Sequence, residues 1–167
     1  RVTKCFLYAH FKEVRFLAKG TINSAIELTG EEAYTNALNA INAELKALKS
    51  EADLVSSSMD DMTDSEEANA AKSDVLTRTL EAQQAKLKLL NEDYERNYKK
   101  QTELADALAK AKEKFAANST EVVNAQNAYN KQVKEVQYVQ AALNKLNTDI
   151  NKTNHEMRDL GKSTDDL

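Results

Sequence analysis

The feature that most constrains this chain is an alternating spacing of apolar residues, four then three, that recurs from Tyr34 to Ile150. An α-helix turns once in about 3.6 residues, so side chains at this spacing line one stripe and call for a partner helix laid along it. Nothing in the composition opposes helices: the 167 residues hold no proline and three glycines. Aromatics make up 6% of the chain, which leaves little bulk for filling a broad core. Together these predict an all-α fold of extended coiled-coil helices, with a helical hairpin and a short N-terminal strand or extended arm.

Three runs carry the pattern. The first places Tyr34, Ile41, Leu48 and Val55 at one core position and Leu38, Leu45 and Ala52 at the other. Thr29 as N-cap with Glu32 three residues on forms a capping box before it. The expected helix spans 30–58, and Ser56–Ser58 read as the start of a linker that continues as a polar loop over 59–64. Thr63 with Glu66 is a second capping box, opening a helix over 65–117. Its seam is Leu76, Leu80, Gln83, Leu87, Leu90, Tyr94, Asn97, Gln101, Leu104, Leu108, Ala111 and Phe115. The three amides in it cost stability but can fix register, as buried amides do in coiled coils.

A break at Asn118–Thr120 follows, with Asn118 as cap and Glu121 at the third helical position. Beyond it Val122, Tyr129, Val133, Val136, Val139, Leu143, Leu146 and Ile150 stripe a helix over 121–160. Leu160-Gly161 reads as a helix stop, with a disordered tail over 161–167. The second and third helices either fold back on each other as an antiparallel hairpin or run on as one nearly continuous rod.

The first residues differ from the rest. Residues 1–16 carry Arg1, Lys4, Lys12 and Arg15 against the single acid Glu13, and hold Cys5. Lys12-Glu13-Val14 can be encoded as a bacterial ribosome-binding sequence, with Leu17 at a start-codon spacing. We therefore expect 1–16 to be a non-native leader from an over-extended gene. The alternating stretch 21–28 (Ile22, Ile26 and Leu28 against Asn23 and Glu27) reads as a short strand or arm within 17–29.

No chemistry-bearing constellation emerges. His155 has no second histidine or cysteine at ligand spacing and reads as solvated. Asp60, Asp61 and Asp64 lack the central glycine and closing glutamate of a calcium loop. The isolated glycines make no phosphate cradle, and no serine stands near a base. We expect no catalytic residues, no cofactor and no metal. Acidic and basic residues are interspersed at a net charge of −4, so no basic stripe points to nucleic acid. No apolar run reaches the length of a membrane span. Tyr34, Tyr94 and Tyr129 fall on seams and read as core, with Tyr98 and Tyr138 flanking them.

Three segments in order, Gly20–Ser58, Ala70–Glu95 and Lys114–Lys152, resemble the N-terminal region of tape measure proteins from long-tailed phages and prophages of Gram-positive bacteria. The resemblance covers about residues 18–158, and residues 1–16 match nothing in it. It implies a structural protein of the virion that lines the tail lumen, scaffolds assembly in the host cytoplasm and sets tail length. The partners implied are tail tube subunits and tail assembly chaperones. Family members are much longer, so a chain of this length resembles a fragment of one. The heptads themselves imply self-association. The competing reading is a generic bacterial coiled-coil interaction module, surface or secretion-associated; an enzyme is the least favoured.

Overall fold

The computed structural model describes residues 31–58 and 66–165, with side chains described for 32–57 and 66–161. The leader, the alternating stretch 21–28, Thr29, Thr63, the aspartates at 60, 61 and 64 and the 59–64 loop lie outside the described residues. Three helices make up the described chain: α1 (Glu31–Ser58), α2 (Glu66–Lys114) and α3 (Thr120–Asp165). No strand occurs among the described residues, and the class is all-α. The chain divides into two compact units, Arg1–Ala37 and Leu38–Leu167. In the first, the described part is the opening of α1, with Tyr34 half-buried and Ala37 buried.

Within the second unit the hairpin alternative holds. Gln83 meets Thr153 and Asn97 meets Gln132, so α2 and α3 run antiparallel along most of their length. Helix α1 lies antiparallel to α2 in turn, because Asn42 bonds Lys86 while Glu51 bonds Arg78. Glu66 and Glu67 open α2 and Lys112 and Lys114 close it, each sign facing the helix end whose dipole it complements.

Several boundaries differ from the sequence expectation. Ser56–Ser58 are helical, within the expected 30–58 span, and are not the linker that their serines suggest. The Ser57 hydroxyl donates to the Leu54 carbonyl at 3.1 Å, which lets a serine sit inside a helix, and the extra turn keeps Val55 covered at 1% exposure. Helix α2 stops at Lys114, three residues early, and Phe115 falls in the turn at 46% exposure, off the seam assigned to it. The cap of α3 is Ser119, not Asn118: its hydroxyl accepts from the Val122 N–H at 3.3 Å. The turn closes through the Ser119 N–H to the Ala116 carbonyl at 2.9 Å.

Gly161 does not stop α3, which runs to Asp165. A glycine inside a helix costs about 1 kcal/mol against alanine, too little to end a helix whose neighbours keep their backbone bonds. The tail expected from 161 is therefore helical through 165.

Candidate functional site: two seams on one helix

Helix α2 carries two buried stripes where the sequence shows one plainly. The expected stripe faces α3. Leu90 is buried with Val139, Leu143 and Leu146, and Leu87, Tyr94 and Ile150 pack against that cluster. Leu108, Val122 and Val136 are buried on the same seam, while Leu76, Leu80, Leu104, Tyr129 and Val133 are half-buried.

The second stripe is Ala68, Val75, Ala82 and Leu89, spaced by sevens and 0–5% exposed. Arg78 and Lys86 lie three or four residues from its members and reach α1, so this stripe faces α1. Ile41, Leu48 and Val55 are the large buried aliphatics of α1, at 3%, 1% and 1% exposure, and share the seven-residue spacing of this stripe. Leu38 and Leu45 are only half-buried. The buried line on α1 is one of the two assigned core positions, flanked by half-buried Leu38, Leu45 and Ala52 on one side and half-buried Glu44 and Glu51 on the other. The period was legible; the presence of a second face was not. Alanine is small enough to sit on a surface or under a helix, and two of the four members are alanine.

The α2–α3 seam is interrupted by two amide layers. At one, Gln83 Nε2 donates to Thr153 Oγ1 at 3.1 Å, and that hydroxyl donates in turn to the Asp149 carbonyl. Gln83 Oε1 is left buried without a hydrogen-bond partner, as is Asn69 Nδ2. Each such orphan costs about 1–3 kcal/mol. At the other layer, Gln132 Nε2 donates to Asn97 Oδ1 at 2.8 Å and to the Asn97 carbonyl at 3.1 Å. Asn97 Nδ2 donates to Asp93 Oδ1, which also accepts from Arg96. The relay runs from the buried Gln132 out to the exposed Arg96. Two heptads of α2 separate the layers, roughly 21 Å of helix, and the Leu90 cluster fills the interval.

The α1–α2 interface is edged by charge. Arg78 Nη1 sits 2.9 Å from Glu51 Oε1 and 3.6 Å from Asp74 Oδ2. Burial works against the Arg78 charge, but Glu51 and Asp74 outweigh it and its pKa is raised. Glu44, on the same face of α1, has its carboxyl raised above the usual range, chiefly by desolvation; Arg78 opposes the rise and Glu81 adds to it.

The remaining chemistry-bearing side chains are not gathered. His155 Nδ1 lies 2.7 Å from Asp159 Oδ2, both exposed. Among the described residues no three His, Cys, Asp or Glu side chains are grouped as a metal ion would need. No described helix is long and apolar enough to cross a membrane. An open groove lined by Leu80, Asn151, Asn154, Met157 and Arg158 lies beside the Gln83–Thr153 layer. Tyr94 and Tyr98 stack with ring centroids 6.0 Å apart, while Tyr98 and Tyr138 are exposed. Comparison with protein-family models, with curated proteins and with solved structures gives no match.

Proposed function

We propose that the chain is a structural, non-catalytic segment of a phage tail: a fragment of a tape measure protein that scaffolds tail assembly and sets tail length. The observation that carries this reading is the order of the three resembling segments, Gly20–Ser58, Ala70–Glu95 and Lys114–Lys152, along one chain. Each alone is an ordinary heptad run; their succession is the specific part. The length of the helices supports it in kind, since the 49 residues of α2 extend roughly 74 Å. In this reading the heptads pack as coiled coils and self-associate. The chain lies in the tail lumen of the virion, meets tail assembly chaperones in the host cytoplasm, and then meets tail tube subunits.

The test is an in-frame removal of 42 residues from the coding sequence of α2 and α3 in a phage-producing host, 21 from each helix so that the hairpin stays matched. Tails shortened in step, by roughly 32 Å for a hairpin 21 residues shorter at 1.5 Å per residue, support the reading. Tails of unchanged length, with no peptide of residues 34–158 in purified virions, refute it.

The second reading, a bacterial coiled-coil interaction module, is favoured by large apolar side chains on the outside of the helices, Leu54 at 64% and Tyr138 at 75% exposure. Neighbouring genes separate the two: tail tube and chaperone genes beside this one favour the tail.

A further inference from the structure

We infer that the second stripe of α2 is an exchangeable docking face, and that its alternative occupant is the α1 helix of a second copy of this chain. This specifies the self-association in the proposed function and does not depend on the tail assignment.

Three observations point there. First, α2 and α3 already form a hairpin with its own buried seam, so α1 lies on a face that the hairpin does not need for its own pairing. Lifting α1 would uncover Ala68, Val75, Ala82 and Leu89 and leave the Leu90 cluster intact. Second, the face has a complement among the described residues. It presents a shallow line of alanines and aliphatics at seven-residue spacing, with Arg78 and Lys86 at its edges. The matching helix needs larger aliphatics at the same spacing, a carboxylate for Arg78 and an acceptor for Lys86. Ile41, Leu48, Val55, Glu51 and Asn42 meet all of these. A second copy carries the identical set in the identical register, so exchange requires no new contact.

Third, the balance between the two occupants is set by concentration. Helix α1 ends at Ser58 and α2 begins at Glu66, so a short connection holds α1 at an effective concentration in the millimolar range. Exchange therefore becomes significant when chains are crowded together to that range.

Charge reversal tests this on the full chain. E51R and R78E each place like charges together, both within a chain and between identical chains. In an equimolar mixture, α1 of the E51R chain meets α2 of the R78E chain with opposite charges facing again. The reciprocal contact is wild type, so only the heterodimer has both interfaces restored. Circular dichroism of each variant, and of the E51R/R78E double variant with its pair restored in cis, controls for folding. Native mass spectrometry at rising concentration is expected to show heterodimer about tenfold above either homodimer. Dimers formed without this charge selectivity overturn the exchange and leave self-association standing. Monomers throughout, for wild type as well, overturn both.

Discussion

The half of α2 from Glu66 to Leu90 and the half from Asn97 to Lys114 have the same helical geometry and the same heptad seam, yet they are buried very differently. The first half buries Ala68, Asn69, Val75, Ala82, Gln83, Leu89 and Leu90. The second buries Leu108 alone. The half-buried Asp74, Arg78 and Ala85 widen the covered face of the first half, whereas Arg96, Lys100, Glu103 and Ala107 on the corresponding side of the second are exposed. A seam repeated every seven residues yields a two-helix contact; a second stripe, one position out of step, is what admits a third helix. The stripe ends at Leu89, and seven residues on stands Arg96, which an apolar contact would not tolerate.

The largest effect expected from this difference is on core truncation. Leu48→Ala removes a side chain 1% exposed and should lower unfolding stability in urea by about 2–5 kcal/mol. Leu104→Ala, on the half-buried two-helix seam, should cost clearly less. Equal losses would erase the contrast. Next comes overpacking: Ala82→Leu inserts bulk at a site with 0% exposure and should cost about 1–3 kcal/mol, whereas the exposed Ala107→Leu should stay within about 0.5 kcal/mol. The two amide layers give a third comparison. Gln132→Leu strips Asn97 of its partner and should cost about 1–3 kcal/mol, while Gln83→Leu removes an orphaned oxygen with the bond it loses and should be close to neutral.

The smallest effect is titration. The Glu44 carboxyl is raised in the folded chain, so the folded state takes up its proton more readily than the unfolded state does. Its contribution favours folding below the ordinary carboxylate pKa and is lost as pH rises through the raised value. Glu44→Gln should therefore stabilise the chain slightly at neutral pH, with the difference from wild type closing on acidification. Melting temperatures compared at neutral and mildly acidic pH would show it, and a gap that widens toward acid would contradict it.

The helices themselves were legible because their cause is local: the heptad, the acidic first turn of α2 and the absence of proline all act within a few residues. The hairpin was legible only as one of two topologies, since the break at 115–119 permits either and the choice rests on Gln132 and Thr153 finding α2 across the turn. What stayed hidden was tertiary. Asn97 and Gln83 stood on the seam as register-fixing amides, but their partners lie 35 and 70 residues away. Gln132 and Thr153 are polar, and an apolar pattern passes over them. Glu44 and Glu51 look like solvated charges until α1 lies along α2 and Arg78 comes beside them.

The antiparallel pairing of α2 with α3 also has a mechanical consequence. Tension applied at Glu66 and Asp165 acts at the same end of the hairpin, so the seam opens by peeling and each rung is loaded alone. Gln83–Thr153 lies nearest the opening end, the Leu90 cluster behind it, and Gln132–Asn97 beyond. Helix α1 lies antiparallel beside α2, so a pull between Leu38 and Glu66 loads its whole contact in shear, with Ile41, Leu48 and Val55 sharing the force. Forced opening is governed by unfolding rates, not by equilibrium stability. Under load the α2–α3 seam should therefore yield in steps and at low force, and the α1 contact all at once and at higher force.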